Sequence, residues 1–83
     1  MNKIGGVPSL TGRELQILEL VALGYSAKET AQRFAITPRT VEAHLDTMRL
    51  KLRARNRTHM VAIAIDLNLL PKQQFVLQPG MAA

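Results

Sequence analysis

Cysteine is absent from this 83-residue chain, which removes disulfides, thiolate catalysis and cysteine-ligated zinc together and fits a reducing cytoplasm. Tryptophan is missing too, and Tyr25, Phe34 and Phe75 are the only aromatics, so the core is expected to be aliphatic, a composition that suits packed helices. The longest strictly apolar run, Met60 to Ile65, is far short of the roughly 20 residues that cross a bilayer, and the N-terminus has no signal-peptide core. A cytoplasmic protein without a membrane partner is therefore expected. Glycine-rich phosphate loops are also lacking, Gly5-Gly6 being too short to cradle a nucleotide. Neither His44 nor His59 has a second ligand at metal-binding spacing, and the hydroxyls at helix starts have no neighbouring base, so neither an enzyme nor a metal or cofactor site is expected.

What the chain does have is positive charge: eleven Lys/Arg against six Asp/Glu, a formal net charge of +5. Such an excess favours polyanionic partners, with nucleic acid ahead of an anionic membrane because no long amphipathic helix sets basic residues opposite an aromatic face. The charge is also local. Arg49, Lys51, Arg53, Arg55 and Arg57 fall in one stretch that contains no acid.

Helix signals divide the chain. Thr11 and Glu14 form a capping-box pair, Leu10 and Leu15 a hydrophobic staple, and Leu15, Leu18, Val21 and Ala22 recur at helical spacing until Gly24 supplies a stop. The first helix is expected over about 12–23. Ser26 and Glu29 repeat the box, and Ala27, Ala31 and Phe34 mark a short second helix over 27–34. Thr37 as N-cap, Pro38 at the first helical position and an Ile36/Val41 staple start a third. Val41, Leu45, Met48 and Leu52 then form its buried stripe over about 38–53. A short helix, a tight turn and a longer helix with a polar outer face is the helix-turn-helix pattern.

Thr58 is expected to cap a fourth helix running to about Leu69, with Pro71 beyond it. This helix is apolar nearly all round, and one small domain cannot cover it on every side. Part of it is expected to meet a second subunit, through Met60, Ile63, Ala64 and Leu67. The alternative is a lid formed by the tail, which carries Phe75-Val76-Leu77. Residues 1–8 are expected as a flexible arm, 9–71 as one domain and 72–83 as a C-terminal tail.

The series Leu10-Thr11-x-Arg13-Glu14, Gly24-x-Ser26-x-Lys28-Glu29-x-Ala31, Thr37-x-x-Thr40-Val41-x-x-His44 and Lys51-Leu52 resembles the LuxR/GerE-type (FixJ-like) helix-turn-helix domain, without gaps, from about Pro8 to Pro71. The resemblance implies an all-α, four-helix domain that binds double-stranded DNA and regulates transcription as a homodimer. It places the third helix in the major groove and the dimer contact on the fourth. Carried onto this chain, it puts Arg39, Glu42, Ala43 and Asp46 toward the bases. Lys28, Thr40, Arg49, Lys51, Arg53 and Arg55 are assigned to phosphates, with Arg33 and Arg57 as further cations in reach.

One departure stands out. Glu42 and Asp46 are acidic at positions that are often basic or polar in the family. An acid can accept a hydrogen bond from a cytosine amino group but cannot neutralise phosphate; pairing with Arg39, Arg49 or a neighbour at helical spacing is the structural alternative. The acids also motivate a second function, a module that heterodimerises through its fourth helix with a related LuxR-type regulator and inhibits it. About nine residues precede the module, and with Met1 at the start this fits a stand-alone regulator; a piece of a larger one is the alternative. His44, beside the buried stripe, is expected as a packed histidine rather than a pH sensor.

Overall fold

A computed structural model describes residues 9–71. The arm over 1–8 and the tail over 72–83, with Phe75-Val76-Leu77, lie outside the described residues. Four helices follow in order: α1 (Gly12–Ala22), α2 (Ala27–Phe34), α3 (Pro38–Lys51) and α4 (Arg57–Asp66). No strand occurs among the described residues, so the architecture is all-α.

The first three helix starts follow their sequence signals. In α1 the Thr11 amide donates to Glu14 Oε1 at 2.8 Å while the Glu14 amide donates to Thr11 Oγ1 at 3.1 Å. Ser26 and Glu29 repeat this exchange at α2 with the same two distances. Each box satisfies two backbone donors that would otherwise be orphaned at a helix start. Thr37 caps α3, accepting from the Thr40 amide at 3.1 Å, with Pro38 just inside the helix.

The stops are less visible in the sequence. Each helix ends with a residue in the left-handed region: Gly24 (φ 102), Ala35 (φ 55), Arg53 (φ 54) and Asn68 (φ 62). Behind each, an amide reaches back to a carbonyl in the last turn: Tyr25 to Leu20, Ile36 to Ala31, Ala54 to Arg49 and Leu69 to Ala64. These closures recover carbonyls that lose their helical partners. They also correct the expected boundaries: α3 ends at Lys51 rather than Arg53, and α4 ends at Asp66 rather than Leu69. The N-cap of α4 is Asn56, whose side chain accepts from the His59 amide at 2.8 Å, so Thr58 lies inside the helix.

The core is aliphatic. Ile17 and Leu18 of α1, Ala31 of α2, Val41, Leu45 and Met48 of α3, and Met60 and Ala64 of α4 are buried, with Leu52, Ala54 and Leu70 closing the ends. The α3 stripe matches expectation in full. On α1 the phase is shifted: Ile17 is fully buried, whereas Leu15 is only half-buried. Two cationic stacks link α1 and its exit to α2: the Arg13 guanidinium lies 4.6 Å from the Phe34 ring centre and that of Arg33 4.5 Å from Tyr25. Arg33 also donates to the Tyr25 hydroxyl at 2.8 Å, so it is occupied within the fold.

Burial on α4 removes two of the four residues expected at the subunit contact. Met60 is 1% exposed and Ala64 0%, so both belong to the domain's own core and offer no surface to a partner. Ile63 and Leu67 are half-buried against the same core. Val61 and Ile65 are half-buried in the same way, so these four side chains keep part of their surface, beside the exposed Ala62. Val61 also lines a shallow groove with Val21 and Ala22 of α1 and with Arg57 and Thr58.

Thr30 is fully buried, and its hydroxyl has no hydrogen-bond partner among the described residues. An unmatched buried hydroxyl is a standing cost that an isosteric methyl removes. Thr30→Val is expected to raise unfolding stability by about 1 kcal/mol, as measured by urea titration; an equal loss would mean that the hydroxyl is satisfied.

Candidate nucleic-acid interface

Helix α3 positions the candidate residues by elementary periodicity. With Val41, Leu45 and Met48 turned into the core, the opposite face carries Arg39, Glu42, Ala43 and Asp46, all exposed. The turn Ala35-Ile36-Thr37 sets this helix against α2, and the left-handed Ala35 lets the chain reverse within it. Leu50 continues the same outer stripe one turn beyond Asp46 and is 68% exposed. Helical periodicity places it there, since it follows Ala43 and Asp46 at spacings of seven and four, but its apolar side chain carries no polar signal that marks it as part of this face.

The basic residues divide into occupied and unoccupied groups. Lys51 donates from Nζ to Glu14 Oε1 at 2.9 Å and to the Ser9 carbonyl at 3.4 Å. It therefore ties the end of α3 to the start of α1 and is not a spare cation. Arg49, half-buried, donates to the Ala54 carbonyl at 3.4 Å, bracing the α3 exit. Arg57 donates from Nη2 to Glu42 Oε1 at 2.8 Å, an ion pair between the first turn of α4 and the outer side of α3. Lys28, Arg39, Arg53 and Arg55 are exposed and have no ion pair or side-chain hydrogen bond among the described residues. Thr40 is exposed, its hydroxyl 3.0 Å from that of Thr37.

Glu42 thus pairs across the α3–α4 seam rather than along its own helix with Arg39 or Arg49. Helical spacing alone could not show this because the partner is on another element. Asp46 is exposed, makes no ion pair among the described residues, and sits beside Arg49, Arg57, Leu45 and Met60 around a small hollow in the seam. His59 accepts the Arg55 amide on Nδ1 at 2.9 Å, which orders the loop between α3 and α4, and His44 is half-buried beside the core stripe.

Glu14 joins the capping box to this surface. Burial works to raise its pKa, but donation from the Thr11 amide, the Lys51 hydrogen bond and the Lys51 charge outweigh it, leaving the carboxyl below its ordinary 4.5. Glu29 is also held low, by the Ser26 amide first and the Ser26 hydroxyl second. A lowered folded-state value means that the ionised form stabilises the fold: the contribution is complete above the unfolded value and is lost as pH falls through the folded one. The melting temperature is accordingly expected to decline as pH drops below about 4.5, with a shallower decline in Glu14→Gln. Identical pH profiles for the two proteins would remove Glu14 from the account.

Comparison with known proteins agrees with this geometry. The model of the GerE family, described as bacterial regulatory proteins of the luxR family, matches residues 8–64. The response regulator protein VraR of Staphylococcus aureus is 43% identical over 61 residues, covering 74% of this chain and 29% of the relative. VraR of Staphylococcus epidermidis matches to the same extent. This chain thus spans less than a third of the length of these relatives. Among solved structures, VqmA bound to DPO superposes with a TM-score of 0.68 at 28% identity, over 80% of this chain and 34% of the other. With a helix-turn-helix unit in place, an exposed outer face on α3 and a family match over most of its length, the chain belongs to the luxR family of bacterial regulatory proteins and is a helix-turn-helix DNA-binding domain of that family.

Proposed function

We propose that this domain binds double-stranded DNA in a sequence-specific manner as a homodimer, with α3 in the major groove, and thereby regulates transcription. The observation that carries the proposal is the outer face of α3: Arg39, Ala43 and Asp46 stand exposed on a helix whose exit leads directly to the unpaired Arg53 and Arg55. A helix fits the major groove with its first turns against base edges, while cations at its ends hold the phosphates. Lys28 and Thr40 flank its entry and Arg49 its exit, where Lys51 adds a further cation that also ties α3 to Glu14.

Asp46 is the candidate base reader. A carboxylate accepts from the N4 amino group of cytosine, and a well-placed contact discriminates by about 1–3 kcal/mol. Ala43 is small enough to let a thymine methyl approach. The second copy binds through the outer side of α4, where Val61, Ala62 and Ile65 present apolar surface, so that two α3 helices address a two-fold site.

Removing unpaired cations tests the phosphate role. Arg53→Ala and Arg55→Ala are each expected to weaken binding on every duplex, by about threefold between low and moderate salt, and to reduce the slope of log affinity against log salt by about one. Unchanged affinity and slope would take these residues out of the interface.

A further inference from the structure

We infer that Glu42 is a built-in competitor for phosphate: it engages Arg57 in an ion pair on the protein's own surface and so sets the affinity of the DNA-binding face without reading a base. The inference rests on the DNA-binding reading above. It starts from the 2.8 Å contact between Arg57 Nη2 and Glu42 Oε1, with both side chains about half exposed. Arg57 ends the acid-free basic stretch that begins at Arg49, and nothing within α4 opposes its charge, since the first turn of that helix has no acid. The partner comes from the outer side of α3, one residue before Ala43.

The Glu42 charge opposes DNA twice. A carboxylate on the groove side repels phosphate, and the same carboxylate satisfies the cation that would otherwise attract it. Binding through Arg57 requires exchanging one charge-assisted hydrogen bond for another, leaving Glu42 unpaired beside the duplex. Asp46 lies close by, lining the same hollow as Arg49 and Arg57, so the α3–α4 seam has two acids against two arginines. Its attraction for a polyanion is carried by Lys28, Arg39, Arg53 and Arg55 around it rather than by the seam itself.

A base reader and a competitor respond oppositely to loss of the carboxylate charge. Binding of wild type, E42Q, R57Q and the double variant would be measured on a pool of random duplexes and on the best site recovered from it, across a salt series, with thermal melts confirming the fold of each. A competitor predicts that E42Q binds every duplex about three- to tenfold tighter, with a salt slope steeper by about one. Base preference stays unchanged, and the gain is smaller in the R57Q background. Weaker binding by E42Q with a changed preference at one base pair would make Glu42 a reader and overturn the inference, as would equal gains in both backgrounds. If wild type fails to bind and E42Q binds, the competitor role holds; if neither binds any duplex at low salt, the DNA-binding reading fails and takes this inference with it.

Discussion

Ile65→Asp is expected to convert the protein to monomers in sedimentation experiments and to lower its affinity for a two-fold duplex site by about a hundredfold or more. Helix α4 is apolar on nearly every side, and its inner side is taken by Met60 and Ala64 within the core. What is left over, on Ala62 and on the half-buried Val61, Ile63, Ile65 and Leu67, is apolar surface that water covers poorly. Joining two half-sites makes the second binding event intramolecular, so losing the dimer costs far more than losing one contact. Because Ile65 also packs partly on the core, Ala62→Glu, on an exposed position, provides a variant with little effect on the fold. A dimer that survives both changes would place the subunit contact elsewhere.

Leu18→Ala is expected to cost about 2–5 kcal/mol of unfolding free energy. Leu18 is fully buried beside Ile17 in a core whose buried side chains are all aliphatic. Deleting its branch loses both transfer energy and the contacts of its neighbours. For a domain of this size the loss corresponds to roughly 10–30 °C in melting temperature, so much of the variant is expected to be unfolded at physiological temperature. Urea titration reads the effect directly, and a loss below about 1 kcal/mol would mean that the core relaxes around the gap.

Helix starts were legible in the sequence because their chemistry is local: a hydroxyl and a carboxylate three residues apart satisfy donors at their own helix end, and Thr11–Glu14 and Ser26–Glu29 do so. Stops were legible only at Gly24. Ala35, Arg53 and Asn68 take the same left-handed conformation, but their side chains do not announce it, and the third and fourth helices therefore end earlier than periodicity predicts. The start of α4 was displaced for a related reason. Once Arg53 and Ala54 close α3, Asn56 enters in an extended conformation that aims its side-chain oxygen at the His59 amide, ahead of Thr58.

The candidate interface was legible where a single helix decides it and obscure where two helices meet. Arg39, Ala43 and Asp46 follow from the phase of α3, which Val41, Leu45 and Met48 set without ambiguity. Periodicity has no phase when almost every position is apolar, as on α4, so it does not separate Met60 and Ala64, which neighbouring helices cover, from positions left for a partner. The two ion pairs among the described residues join positions 37 and 15 apart in sequence. Only the fold brings Lys51 to Glu14 and Arg57 to Glu42, and it removes two cations from a surface that charge counting alone made more basic than it is.

The central claim is that the α3 face binds DNA with sequence preference. The most direct measurement is binding of the purified protein to a random-sequence duplex library at two salt concentrations, followed by sequencing of the retained fraction. The account predicts enrichment of a two-fold site and a steep fall in retention between the two salts. No retention even at low salt would contradict it and would favour the partner-capture function, in which α4 binds a related regulator.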